Sequence, residues 1–459
     1  MLCLAMATLL QMTTIFFNGV LAAAQAPLVD SARDWGTVVQ LAEMVVLALV
    51  ARRWPWVIRE RRLSALAIGA VVVGSVVAGA GHGFGHGVLV VVGTCLTSVA
   101  VAWAWVLLLL FCTRLSFRSM LLCIAVGELL AIPLASAVSA LGYGCAQACY
   151  ALCVGAVLVV GSLGTRTVFA RIRAAEAAID AEVTRPGAVL PLYHTLFVYI
   201  FAFSFAYGFG LRYEHADGSL VASWLIAGVL VAVGFYARWA QEDPRADRLF
   251  DAASTLLLGG FVLALLATSQ LAAAASAVLV GGETLFEVLM LVVLTAVAAR
   301  SSSMAIPVIA WGYAAYYAGI EAGAQLGIGV TVLVGTDSLL AQGIVGAVLV
   351  LIMAYVLFSR RSFGFDQTIA GVERDALPLT VVEVQYADAV GARIEELVGS
   401  LGLTEREADV FRLLARGNNT LHIQEELAIT KNTLKYHVRH IYTKANVHSQ
   451  QELIDLLAL

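Results

Sequence analysis

Thr430–Ala445 reads TKNTLKYHVRHIYTKA. Thr430 is an N-cap residue type, able to accept from an orphan backbone N–H of the helix that follows. Leu434, Val438, Ile441 and Ala445 recur at i, i+4, i+7 and i+11, one apolar stripe for a core. Lys431, Lys435 and Arg439 recur every four residues on a different face, with Tyr436 and His440 beside them. No Asp or Glu occurs from Leu427 to His448. A short helix with one apolar and one cationic face fits a DNA major groove in width and in charge.

Upstream lies LTEREADVFRLLARG. Thr404 and Glu407 have the capping-box spacing, in which hydroxyl and carboxylate each satisfy an orphan N–H. Val410, Leu413 and Leu414 supply an apolar side, and Gly417 is a stop signal. In the next stretch Asn419 caps a short helix with Ile423 and Leu427 inward. The terminal SQQELIDLLAL is amphipathic through Leu453, Ile454, Leu456 and Leu457. Four short helices with a basic third one describe a helix-turn-helix domain.

At these residues the chain resembles the LuxR-type (NarL/GerE-like) domain over about Leu401–Leu457. The shared pattern is L-T-x-R-E-x-x-V-x-x-L-L-A-x-G, then I-x-x-x-L-x-I-T-x-x-T-L-K-x-H-x-x-x-I-Y-x-K-x-x-V-x-S-x-x-E-L. The resemblance implies double-stranded DNA as partner, with Lys435, Tyr436 and Arg439 at base edges. Lys431, Thr433, His437 and Lys444 are placed for phosphate, in keeping with the division between positioning and readout contacts. It also implies a homodimer through the last helix when DNA-bound. The chain departs from the family at Leu421, His422, Gln424, Ala445 and Asn446.

The rest of the chain has another character. Of 459 residues, 61% are hydrophobic and 13% charged, a membrane-protein composition. All three lysines (Lys431, Lys435, Lys444) lie in the basic helix, so the formal net charge of −4 says nothing about DNA. Apolar runs long enough for a bilayer span follow one another roughly at 3–24, 35–51, 63–81, 88–112, 119–140, 146–163, 193–211, 220–237, 252–272, 276–298, 304–326 and 337–358. Alternate loops hold seventeen arginines on one side and only Arg33 and Arg212 on the other. The positive-inside rule then puts the C-terminus in the cytoplasm and the chain in the cell (inner) membrane. The first run ends LAAAQA, like a signal-peptide cleavage region, but no basic residue precedes its apolar core.

Twelve spans in two sets of six, joined by a charged stretch at about 165–191, resemble the layout of the major facilitator superfamily. The loop ARRWPWVIRERRL lacks the Gly…Asp-Arg-x-Gly-Arg motif typical of those transporters, so the layout is implied without the transport. The fold class expected is all-α: residues 1–358 a helical membrane bundle, 359–400 a tether with a helix near 387–398, and 401–459 the DNA-binding domain.

Ionisable groups in hydrocarbon are costly and mark function by default. Glu43, Glu128, Glu283 and Glu287 fall within spans, Glu321 lies in the outer half of another, and the spans hold no basic residue. One reading is helix-to-helix bonding by protonated carboxyls. The other is an outward-open cavity for a cationic, amine-bearing or proton ligand, with Glu283, Glu287 and Glu321 the best candidates. Cys145, Cys149 and Cys153 at i, i+4, i+8, and His82 and His86 in GHGFGHG, have metal-ligating chemistry. Small-residue packing and a tight turn explain them more simply, so no metal or cofactor is expected. No nucleophile–base pair, phosphate loop or dinucleotide fingerprint occurs, so no enzyme is expected. The function expected is a membrane-anchored one-component transcription regulator that senses a small molecule or ion. The alternative is a transporter with a regulatory DNA-binding tail.

Overall fold

The structure is a computed structural model. It describes residues 1–25, 31–54, 57–179, 193–213, 220–240, 244–266, 269–301, 304–334, 363–372, 394–415 and 429–445, with isolated positions between them. Among these the regular elements are helices, and the chain divides into two compact units, Met1–Thr380 and Val381–Leu459.

In the first unit, α1 (Leu2–Phe16) continues through a π-helical turn, Phe17–Leu21, into Ala22–Gln25. Then come α2 (Ala32–Arg53), α3 (Glu60–Phe84), α4 (Gly87–Cys112), α5 (Phe117–Ser139) and α6 (Tyr143–Gly164). A connector helix, α7 (Arg166–Ile179), precedes α8 (Thr195–Tyr213), α9 (Leu220–Trp239), α10 (Ala246–Leu266), α11 (Ser269–Arg300) and α12 (Ala305–Val334). Eleven of the twelve expected spans are therefore helices; the twelfth, 337–358, lies mostly outside the described residues. Among the described residues, six helices have the length and apolar content to cross a bilayer.

Helix order follows from how apolar each helix is around its circumference. α4 is buried without interruption from Ala100 to Leu110, and α11 from Val288 to Thr295. Helices apolar all round belong at the centre. α1 packs on α5 and α6, and α3 on α4, in the first set; α8 packs on α12, and α10 on α11, in the second. The sets meet where α2 lies on α12 and α9 on α5. Small residues set the closest approach: a Cβ at Gly319 or Gly323 would run into the Phe201 or Phe205 carbonyl of α8.

The stretch expected as tether contains a helix docked on the membrane unit, α13 (Phe365–Gly371), which the sequence reading did not place. Two aspartates cap each other's helices. Asp247 Oδ1 accepts from the Phe365 N–H at 2.8 Å and Oδ2 from the Asp366 N–H at 3.4 Å. Asp366 returns the contact, accepting from the Ala246 N–H at 2.9 Å and the Asp247 N–H at 3.3 Å. At the other end Arg300 donates to the Ala370 and Val372 carbonyls at 3.2 and 3.0 Å. Phe365, 1% exposed, lies 4.9 Å from the Phe250 ring, and Phe363 stacks on Tyr199 at 4.8 Å. Pro378 and the mixed composition hide this in sequence, because a few scattered apolar residues, Phe363, Phe365, Ile369 and Val372, carry the docking face.

Replacing Asp247 by Ala removes the two hydrogen bonds that cap α13, a cap worth about 1 kcal/mol. Limited proteolysis of the full chain should then cut within 363–372 severalfold faster than in the unaltered chain.

Candidate functional sites

In the second unit, residues 394–400 are helical, followed by α14 (Glu405–Ala415) and α15 (Lys431–Ala445). Ile394, Phe411, Leu414, Ile423, Leu434 and Ile441 close one core, each at most 2% exposed. Leu453 is buried in the same core; the remainder of the expected dimerisation helix lies outside the described residues. The capping box forms: the Thr404 N–H donates to Glu407 Oε2 at 2.9 Å and the Glu407 N–H to Thr404 Oγ1 at 3.3 Å. The Thr430 cap forms too, its hydroxyl accepting from the Thr433 N–H at 3.3 Å.

The apolar stripe of α15 points inward, with Leu434 and Ile441 buried and Val438 and Ala445 packed at the edge. Opposite it, Thr433, Lys435, Tyr436, Arg439 and His440 are exposed. Lys435, Tyr436 and Arg439 share one concave surface, and the Tyr436 ring lies 4.3 Å from His440. Of the expected phosphate contacts, Thr433 is exposed, with its hydroxyl hydrogen-bonded to that of Thr430 at 2.8 Å. His437 is half-buried, and among the described residues its buried Nδ1 has no partner. The Lys431 side chain lies outside the described residues.

Lys444 is turned to the scaffold. Its ammonium donates to Glu407 Oε2 at 2.7 Å and to the Gly402 carbonyl at 2.9 Å. His440 Nδ1 stands 3.5 Å from the other Glu407 oxygen. The Lys444 bond, first, and the Thr404 N–H hold the Glu407 carboxyl at about 2, well below the usual range. The family resemblance placed Lys444 for phosphate, but it cannot show that Glu407 reaches across from α14.

The membrane unit contains a cavity of about 160 Å³. Trp105, Tyr313, Tyr316, Glu287 and Gln40 line it deep between the two helix sets, and Arg33, Asp34 and Glu321 line it near the helix ends away from the arginine-rich loops. Phe17 and Asn18, in the π turn of α1, complete one wall. π turns inside helices recur at functional sites. The Trp105, Tyr316 and Tyr317 rings lie 5.9, 6.3 and 5.7 Å from that of Tyr313.

The five candidate carboxylates divide. Glu287 and Glu321 line the cavity. Gln11 Nε2 donates to Glu128 Oε1 at 2.8 Å and stands 3.5 Å from Glu287 Oε1, so one amide bridges carboxylates from both helix sets. Glu283 is 3% exposed, and among the described residues neither of its buried oxygens has a partner. Glu43 does not line the cavity, and among the described residues its buried Oε2 has no partner. At the mouth Arg33 faces Asp34 at 3.9 Å, and Gln325 donates to Glu321 at 2.7 Å. Sequence reading had no signal for Gln11 or the tyrosines, since neither carries a charge. Elsewhere, Cys145, Cys149 and Cys153 are free thiols, and His82 stacks on Tyr143 at 3.9 Å.

Because the folded Glu407 pKa lies below the ordinary 4.5, its contribution to stability is complete above 4.5 and is lost as pH falls toward about 2. Pepsin should therefore cleave the C-terminal unit of the full chain increasingly across that window, and Glu407→Gln should flatten the dependence. Lys444→Met should loosen the unit at neutral pH, because it leaves Glu407 buried without its cation.

As a sequence, the chain matches none of the curated proteins. The family model for bacterial regulatory proteins of the luxR family matches residues 401–457. As a structure, the chain is similar to the major facilitator superfamily proton:xylose symporter XylE bound to 6-bromo-6-deoxy-D-glucose. The TM-score is 0.54 at 11% identity, over 80% of this chain and 98% of that one. The human organic anion transporter MFSD10 (TETRAN) aligns with a TM-score of 0.48 at 13% identity, over 76% of this chain and 98% of that one. The chain is thus a multi-pass membrane protein in which a bundle of the major facilitator fold precedes a LuxR-type helix-turn-helix DNA-binding domain.

Proposed function

We propose that the protein is a membrane-anchored one-component transcription regulator of the cell (inner) membrane. A small molecule or ion enters the chamber at Glu287 and Glu321, and the C-terminal domain, on the cytoplasmic side, answers at DNA. The observation that carries this is the face of α15. Lys435, Tyr436 and Arg439 stand exposed on it, whereas Lys444 of the same helix is committed to Glu407. Lys435 and Arg439 suit guanine acceptors, and Tyr436 a thymine methyl or a phosphate. Thr433, Lys431 and His437 fall to the phosphate side, and two domains pair through the last helix on a two-fold site.

Seventeen arginines on one set of loops against two on the other support the cytoplasmic side for the DNA-binding end. α11 supports a route between ligand and DNA. It carries Glu287 into the chamber and, thirteen residues on, Arg300 into the carbonyls of α13. A helix rises about 1.5 Å per residue, so one rod spans about 20 Å between the two. The second reading, a transporter with a regulatory tail, is favoured by the chamber itself. Uptake by a chain truncated after the membrane unit would select it.

The regulator reading is tested with the full chain in nanodiscs. Duplexes enriched from genomic DNA should bind with a steep salt dependence. Lys435→Ala and Arg439→Ala should each weaken specific binding by about 1–3 kcal/mol. Salt-independent binding, or binding indifferent to both substitutions, sinks the reading.

A further inference from the structure

The geometry points to the class of ligand: we infer that the chamber takes a compact organic ammonium ion, held by Glu287 against the Trp105–Tyr313–Tyr316–Tyr317 aromatic wall. The inference rests on the chamber being the input site and names what would fill it.

The wall is what a neutral polar ligand would not require. The Trp105, Tyr316 and Tyr317 rings all approach Tyr313 within 6.3 Å, and Tyr150 and Tyr207 line the same space. Faces of Trp and Tyr carry negative charge density and attract a desolvated cation within about 6 Å, the basis of aromatic cages for ammonium groups. The floor supplies the counter-charge. Glu287 stands between the tyrosines and Gln11, with Glu128 behind it. Among the described residues these two carboxylates have no Lys, Arg or His at ion-pair distance; the cation of the mouth, Arg33, already faces Asp34.

A second observation is independent of the rings. Tyr313 is 2% exposed and lines the space, and among the described residues its buried hydroxyl has no hydrogen-bond partner. A buried polar atom of that kind costs stability unless something visits it. An ammonium N–H directed at Glu287, with the Tyr313 hydroxyl accepting a second, satisfies both groups at once. Size limits the rest: about 160 Å³ matches the cavity of about 150 Å³ that takes one benzene ring. A single ring, or a chain of similar bulk, is the body that fits this space.

Two probes of equal size separate charge from shape: benzylammonium and benzyl alcohol. Calorimetric titration of the full chain in nanodiscs at neutral pH should show one saturable site per chain, with benzylammonium bound about tenfold tighter, or about 1.4 kcal/mol. Glu287→Gln should bring the two probes within about twofold of each other, and Tyr313→Phe should weaken the ammonium severalfold while leaving the alcohol unchanged. Should Glu287→Gln fail to fold, the probe ratio in the unaltered chain and in Tyr313→Phe still decides. The inference is overturned by an alcohol that binds as well as the ammonium, by an ammonium without saturable binding, or by a preference that survives Glu287→Gln. A reporter gene driven from an enriched duplex separates the two readings. Saturable ammonium binding with a silent reporter keeps the ligand class and removes the sensor reading. A reporter that answers neutral compounds alone keeps the sensor and removes the ligand class.

Discussion

Hydrocarbon offers no water to a backbone, and that constraint organises most of this chain. Each amide inside the bilayer must be bonded within its own segment, which restricts a spanning chain to helices. Lipid tails do not drive those helices together, so association falls to close packing and to the few polar atoms held inside. Gly319 and Gly323 let α12 approach the carbonyls of α8, and Gln11 bonds Glu128 of α5 in its own set while reaching Glu287 of the opposite set. Polar atoms are costly here, so they gather at the seam between the two sets, where a cavity can solvate them. The chamber follows from the same constraint as the spans.

The C-terminal unit works under the opposite rule, because water is available and charge is readily hydrated. Its difficulty is to hold a helix with four cations, one of them near its end, against its own scaffold. Glu407 solves it by capping the start of α14 through Thr404 while binding Lys444 of α15. One carboxylate thereby ties two helices together and neutralises a charge that would otherwise repel its neighbours. What remains outward is Lys435, Tyr436 and Arg439, exposed together on one face of α15.

Fold class was legible in sequence because both periodicities are strong. Uninterrupted apolar runs announce spans, and Leu434, Val438 and Ile441 announce the inner face of α15 whatever surrounds them. The capping box was legible for the same reason: its partners are three residues apart. Groups that meet across the fold were hidden. The Asp247–Asp366 clasp joins positions 119 apart, and Lys444 meets Glu407 across 37. In the chamber only the carboxylates stood out, since a Tyr in a span looks like any apolar residue until several converge. The five glutamates were all visible, but their division into lining, bridged and solitary groups depends on helix rotation, which a list of spans does not fix.

Signal transfer in such a chain reduces to a difference of affinities. A ligand that fits two arrangements of the bundle equally well shifts nothing, however tightly it binds. A tenfold change in DNA occupancy needs about 1.4 kcal/mol of differential binding, well within the strength of one charge pair in a dry site. The receiving end must also be marginal, or that energy would be lost in a rigid joint. α13 meets this condition: seven residues long, it is held by four backbone-to-carboxylate bonds, two guanidinium bonds and a small aromatic cluster. Each bond individually contributes about 1 kcal/mol. A displacement of Arg300 by a fraction of a helical turn would remove two of them at once, comparable in size to what the ligand supplies.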